Sequence, residues 1–260
     1  PLLPPAPAPP RRSFELELGT RGLRYLGIAM FVIGMALLLK YSYDSNMMGP
    51  KGRLAMEILV GLGMLGLGEH FRRKNWAGLF QTLTGGAIAV FYTCVYFSFQ
   101  VYHFTNSQVA FGVAVLLTVL AIVMAVAHDA LPIAIVAVLG GFASPVLVST
   151  GENHPHVLFL YILILDLVAL GAAYFRRWPV LDLLCLGGTA AMYLGWFMEY
   201  YTAAQIGPAL VYISIFYVVF LFAPLLHAFA TKKPAGMDSL AILGLNSLFL
   251  VPILVLVAIV

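Results

Sequence analysis

Long stretches of this chain carry no Asp, Glu, Lys or Arg, among them residues 75–128, 200–231 and 239–260. Each exceeds the roughly 20 residues that take a helix across the hydrocarbon core of a bilayer. No soluble fold solvates runs of that kind, and 62% hydrophobic against 10% charged residues lies far outside soluble usage. The expected class is therefore all-α: a polytopic helical membrane protein.

Cutting at polar interruptions gives about nine candidate spans, at 22–43, 53–70, 76–102, 107–127, 132–148, 156–175, 179–200, 206–229 and 239 onward. The stretch 75–128 is too long for one span, and the patch His103, Thr105, Asn106, Ser107, Gln108 supplies its turn. Pro132, Pro179 and Pro208 fall at or near helix starts, where a missing N–H costs little. Aromatic residues cluster at span ends (Tyr41, Tyr43, Trp76, Tyr102, Trp178, Tyr200, Tyr201), as an interfacial belt requires.

The scarce charges set an orientation. With the N-terminal segment in the cytoplasm, Arg11, Arg12, Arg21, Arg24, Arg72, Arg73, Lys74, Arg176, Arg177, Lys232 and Lys233 are inside and only Lys40, Lys51 and Arg53 outside, eleven of the 14 basic residues against three. The fifth span, interrupted by Gly140, Gly141 and Pro145, resembles a re-entrant loop. If it turned back, every later loop would change sides and the bias would fall to seven against seven, so it is expected to span as a broken helix. The net charge of +3 is spent on these short clusters, which disfavours nucleic acid as a partner and points to the lipid bilayer.

Residues 1–21 form a separate segment: six prolines in PLLPPAPAPP make an extended, semi-rigid tether before a transmembrane domain at 22–260. A chain opening on Pro1 and stopping at Val260 within an apolar run is expected to be part of a longer protein, truncated at its C-terminal end. Cys94 and Cys185 lie inside apolar runs and act as small hydrophobes, so neither a disulfide framework nor a zinc site is expected.

Paired glycines recur at Gly85-Gly86, Gly140-Gly141 and Gly187-Gly188, each near the middle of an odd-numbered span. The plain reading is helix packing without a hydrophobic driving force; the sharper one is an irregular two-helix repeat around a midplane site. In LGGFASP, residues 139–145, Pro145 removes an intrahelical bond beside two glycines, leaving carbonyls that need neighbours or a polar cavity. Asp166 sits deep in the sixth span, where an ionisable group costs roughly 2.5 to 3.5 kcal/mol to insert. A neutral, hydrogen-bonded carboxyl is expected there, with Thr189 or Tyr193 as partner. Gly140, Gly141, Ser144, Pro145 and Asp166 thus make up a candidate midplane polar path, weighed against plain structural contacts.

At the outer interface Lys40, Arg53 and Glu57 form a candidate charged cluster, with Arg53 and Glu57 at i, i+4. It would receive an anionic headgroup or, more economically, neutralise one buried Glu. His70, His128 and His227 fall at cytoplasmic helix ends, and His103, His154 and His156 at external ones. Glu152 with His154 and His156 lacks a fixed scaffold, so no metal site is assigned, and no cofactor is expected. There is no H-E-x-x-H, G-x-S-x-G or P-loop lysine motif, and the balance leans away from an enzyme.

The segments LGIAMFVIGMALLLKYSYD, LGLGEHFRR, LTGGAIAVFY, LGGFASPVLVSTG and RRWPVLDLLCLGGTAAMYLGW, with Gly-Pro ahead of Arg53, resemble in order the bacterial multi-pass membrane proteins grouped as domain of unknown function 2339, over about residues 22–196. The resemblance implies a soluble N-terminal portion, often coiled-coil, ahead of the tether, and further spans beyond Val260. It implies no activity, substrate or catalytic residue. Asp166 and Asp182 stand where similar sequences more often carry asparagine, which makes a charged carboxylate less central than a hydrogen-bonding side chain. The leading expectation is a bacterial inner-membrane protein that moves or handles a lipid, envelope intermediate or small solute along the midplane path. The rivals are a non-catalytic scaffold or assembly subunit with envelope or membrane protein partners, and an intramembrane transferase built on the outer charged cluster. A hydrated cavity at Asp166 and the Gly140-Gly141 break would favour transport, and dry packing there the scaffold.

Overall fold

The computed structural model describes residues 30, 33, 34, 37 and 41, then 49–149, 151, 153–176, 178–202, 205–231 and 243–247. The chain divides into two compact units, Pro1–Met47 and Met48–Val260. In the first, the described residues Met30, Ile33, Gly34, Leu37 and Tyr41 are helical, as the span at 22–43 predicts. The tether at 1–21 lies outside the described residues.

The second unit holds seven α-helices among its described residues: α1 (Pro50–Arg73), α2 (Ala77–Tyr96), α3 (Ser107–Ala127), α4 (Leu131–Leu147), α5 (Pro155–Phe175), α6 (Pro179–Tyr200) and α7 (Ile206–Thr231). Residues 243–247 are also helical, and Asn246 Nδ2 donates to the Tyr217 carbonyl of α7 at 3.0 Å. The described residues contain no strand. Five helical stretches, Pro50–Arg73, Ala77–Val101, Ser107–Ala127, Pro155–Ala172 and Pro179–Tyr200, are long and apolar enough to cross a membrane. Leu131–Leu147 and Ile206–Phe222 are apolar but shorter stretches.

Local chemistry explains the helix ends. Proline occupies the first turn of α1, α4, α5 and α6, where its missing N–H would have had no intrahelical partner. The Asn106 side chain caps α3 by accepting from the Val109 N–H at 2.9 Å. The first three connections each turn through one left-handed residue, Asn75 (φ 60), His103 (φ 51) and Asp129 (φ 51), residue types that tolerate this region best after glycine. A π-turn at Phe97–Val101 closes α2.

Such short connections make successive helices antiparallel neighbours. Helices α2, α4 and α6 pack side by side in one row, α3, α5 and α7 in a second, and each helix also touches its sequence neighbours across the rows. Helix α1 packs on α2 through Gly61, Met64 and Gly68, spaced i, i+3, i+7, with Ala87 and Val90 opposite. The larger core centres on Phe159, whose ring centroid lies 5.3 Å from Tyr193, 5.0 Å from Trp196 and 4.8 Å from Tyr212.

Polarity is inverted relative to a soluble protein. Arg53, Glu57, Thr84, Thr118, Ser144, Asp166 and Thr189 are buried, whereas Val113, Leu116, Leu120 and Val123 of α3 and Leu160, Ile164 and Leu167 of α5 are exposed. Water would penalise those apolar faces, and lipid does not. One expectation is corrected here: the fifth span is not broken, because α4 runs without interruption from Leu131 to Leu147 through Pro145.

Candidate functional site

Helix α4 survives its proline because a neighbour replaces the bond that proline removes. An N–H at position 145 would have bonded the Gly141 carbonyl, four residues earlier. Tyr161 of α5 donates its hydroxyl to that carbonyl at 2.8 Å. Ser144 Oγ donates to the Gly140 carbonyl at 2.8 Å. One turn earlier, the Tyr92 hydroxyl of α2 lies 3.0 Å from the Ala137 carbonyl and 2.5 Å from Thr118 Oγ1 of α3, which is itself 2.8 Å from the Ala114 carbonyl. Tyr92 and Thr118 have two hydroxyl protons between them for these three contacts, and the hydroxyls that meet α4 carbonyls are those of Tyr92 from α2, Tyr161 from α5 and Ser144 of α4 itself.

The glycines admit large side chains rather than neighbouring backbone. A Cβ at Gly140 would run into the Tyr92 ring, one at Gly141 into the Leu165 side chain, and one at Gly188 would come within 2.6 Å of the Phe142 ring. Gly86 is filled by Met64, 2.6 Å from the Cβ position, while Gly85 has only Val136 at 3.7 Å. Gly187 meets nothing within 4 Å, so the packing role expected of it belongs to Gly188 alone. Tyr92 of α2 thus enters α4, and Phe142 of α4 enters α6, along the same row.

Asp166 of α5 is 0% exposed. Its Oδ2 accepts from Thr189 Oγ1 of α6 at 2.7 Å, as expected, but Tyr193, the other predicted partner, donates to the Ala209 carbonyl of α7 at 2.9 Å. Asp166 Oδ1 has no hydrogen-bond partner among the described residues. Asp182, Cys185 and Thr189 recur at i, i+3, i+7 along one face of α6, and Cys185 is buried within electrostatic reach of both aspartates. Asp166 therefore looks toward α6, whereas the carbonyls of Gly140 and Gly141 are held by α4's own Ser144 and by α5. The predicted path residues are neighbours in the fold, but no described cavity is lined by both Asp166 and the glycines.

In the outer cluster, Arg53 and Glu57 are only 3% and 1% exposed, and Lys40 lies outside the described residues. Thr93 Oγ1 of α2 donates to Glu57 Oε1 at 2.5 Å, which makes this carboxylate part of the α1–α2 contact. Beside it, Leu54 and Ile58 of α1 line an almost wholly apolar groove of about 160 Å³ against Cys94, Val95 and Val109. His156, in the first turn of α5, has its Nδ1 3.0 Å from the Tyr212 hydroxyl, and Glu152 is outside the described residues. At the opposite end, Arg176 bridges Asp129 at 3.2 Å, and Arg72 and Arg73 flank Glu69 at 2.6 and 3.0 Å.

Sequence reading missed a recess at the end where α4 finishes. The 17 residues of α4 rise about 25 Å, short of a hydrocarbon core of about 30 Å, while its neighbours α3, α5 and α6 have 21, 21 and 22 residues. The shorter helix leaves a cavity of about 130 Å³ among its neighbours' ends, floored by Phe111, Pro145 and Val148 and walled by Asn153, Trp196 and Tyr200. Trp196 Nε1 donates to Asn153 Oδ1 at 2.9 Å, which fixes the ring edge. Pro145 was singled out in the sequence for its helix, and Tyr200 for the aromatic belt. Only the depth of α4 relative to its neighbours reveals that they meet.

No curated protein and no solved structure gives a match. A family model described as a predicted membrane protein, domain of unknown function 2339, matches residues 19–259 and so takes in the last two candidate spans as well as the segments that first carried the resemblance. With buried polar groups, exposed apolar faces and that match over nearly its whole length, the chain belongs to the domain of unknown function 2339 family of predicted membrane proteins.

Proposed function

We propose that this protein is a non-catalytic membrane scaffold or assembly subunit of the bacterial inner membrane. The observation that carries the reading is the dry midplane of α4: the carbonyl stripped by Pro145 is taken by Tyr161, and the glycine gaps are filled by Tyr92, Leu165 and Phe142. Around Gly140 and Gly141 the backbone carbonyls are used inside the protein, which rigidifies that part of the bundle, and rigidity is what a platform for partners needs. In this reading the chain contributes nine spans, the proline-rich tether lies in the cytoplasm, and the α2–α3, α4–α5 and α6–α7 hairpins are irregular copies of one unit, each bringing one glycine pair to the row of α2, α4 and α6.

The rival reading is a conduit for a lipid, an envelope intermediate or a small solute through Gly140, Gly141, Ser144, Pro145 and Asp166. One observation favours it: the buried Asp166 Oδ1 without a partner among the described residues. Proteoliposomes separate the two. The scaffold predicts lipid scrambling and solute flux no faster than in protein-free vesicles, and site-specific photo-crosslinks from the exposed positions Leu116 and Leu120 to one defined neighbour in native membranes. Protein-dependent flux or scrambling that Asp166→Asn abolishes would overturn it.

A further inference from the structure

We propose that the groove between α1 and α3 seats one ester-linked acyl chain of a phospholipid, with the ester carbonyl at Ser98 and Thr105. Helices α1 and α3 each pack on α2 but hardly on one another, which leaves a trough over α2. Its floor is made of small side chains, Cys94 and Ser98 at i, i+4 on α2 and Ala110 of α3. Its walls are Leu54 and Ile58 of α1 and Val109 and Val113 of α3, again one turn apart on each helix. The trough therefore runs along the helix axes. Membrane-crossing helices stand on average about 20° from the bilayer normal, so the trough points as lipid chains do, and the exposed Ile58, Val109 and Val113 place its mouth against lipid.

Size and chemistry choose the occupant. A cavity near 150 Å³ holds a six-carbon ring, so about 160 Å³, open on one side, seats roughly six carbons of a chain whose remainder lies in the bilayer. The two ends of the trough differ. Ile58, Cys94 and Val113 make the deep end apolar, whereas the end beside the α2–α3 turn carries the Ser98 and Thr105 hydroxyls, 3.5 Å apart. That separation is long for an O–H···O bond. Two hydroxyl protons with that contact alone among the described residues leave a donor for an incoming acceptor. An acceptor at the surface end with a saturated chain below it is an acyl ester; a polyisoprenoid brings no carbonyl to those hydroxyls. The lining contains no Lys, Arg, Asp or Glu, and Glu57 lies behind it at 1% exposure, held by Thr93. The trough thus selects for ester and chain rather than for a headgroup. The proposal is independent of the scaffold reading, because a seated lipid requires neither flux nor a protein partner.

The test is native mass spectrometry of the full chain, stripped of lipid in detergent and titrated with 1-palmitoyl-2-oleoyl phosphatidylcholine or with its dialkyl ether analogue, which lacks the carbonyls. The wild type is expected to retain one ester lipid saturably and to prefer it about fivefold over the ether, the worth of one hydrogen bond. Ser98→Ala combined with Thr105→Val keeps the trough and is expected to erase that preference. Val113→Phe, at a lipid-facing position that leaves the core untouched, is expected to cut retention of both lipids at least tenfold by closing the mouth. Leu120→Phe, exposed two turns deeper on the same helix, is expected to change nothing. Absence of saturable retention, retention undiminished by Val113→Phe, an equal loss in Leu120→Phe, or equal retention of ester and ether by the wild type would each overturn the assignment.

Discussion

Gly141 and Val148 are two turns apart on α4, about 10 Å along its axis, and their surroundings are opposite. Around Gly140 and Gly141 the space beside the backbone is taken by the Tyr92 ring, by Leu165 and by hydroxyls donated to the two carbonyls, and the cavity lined by Thr118, Tyr161 and Leu165 measures only about 10 Å³. Around Val148 the same helix stops early and leaves an open, mixed-polarity recess. Pro145 belongs to both: its missing N–H creates the demand that Tyr161 answers, and its ring forms part of the recess floor. A membrane helix carrying Gly, Gly, Ser and Pro together is thus not by that fact a pathway. What decides is whether a neighbour supplies the missing donor.

The largest effect that would break this contrast is expected from Gly140→Leu, which drives a branched side chain into the Tyr92 ring and should cost about 3 kcal/mol as overpacking. Reversible unfolding in mixed micelles would read it; retention of wild-type stability would mean that the midplane is loose. Tyr161→Phe should cost about 1 kcal/mol by leaving the Gly141 carbonyl unsatisfied. In a Pro145→Ala background that cost should vanish, since the restored N–H takes the same carbonyl, and a double-mutant cycle measures this coupling. Equal costs in both backgrounds would refute the plug. Gly188→Ala, against Phe142, should lose about 1 kcal/mol while Gly187→Ala, facing open space, stays within about 0.5 kcal/mol. Thermal melts of the pair settle which glycine packs. The smallest change is expected from Asp166→Asn: the amide oxygen still accepts from Thr189, and stability should hold within about 0.5 kcal/mol. A loss of several kcal/mol would show that a full carboxylate is needed.

Much of this architecture was legible in the residues. Uncharged runs give the class, prolines mark helix starts, the polar patch around Asn106 marks the α2–α3 turn, and depth with hydroxyl chemistry narrows the partner of Asp166 to Thr189 or Tyr193, of which the fold uses Thr189. What stayed hidden depends on tertiary placement. Nothing local tells that Tyr161, sixteen residues beyond Pro145, returns a donor to Gly141, so the fifth span looked broken when it is only borrowed from. Likewise Gly187 and Gly188 are indistinguishable until Phe142 chooses one of them. A buried Glu57 is legible in the sequence, but its contact with Thr93 of α2 is not, because the i, i+4 spacing from Arg53 names no neighbour outside α1. The recess escaped because it is a difference of helix lengths, and each of its walls had a sufficient explanation of its own.

The central claim is a sealed midplane beneath an open recess, and thiol labelling of the full-length protein in membranes tests it most directly. In a background with Cys94 and Cys185 replaced by alanine, Ser149→Cys and Ser144→Cys place single thiols at the mouth of the recess and on the sealed stretch of α4. A small membrane-impermeant maleimide, supplied to both faces of the membrane, should modify Ser149→Cys readily and leave Ser144→Cys untouched until the protein is unfolded. Comparable modification of both would mean that water reaches the midplane, which contradicts the seal.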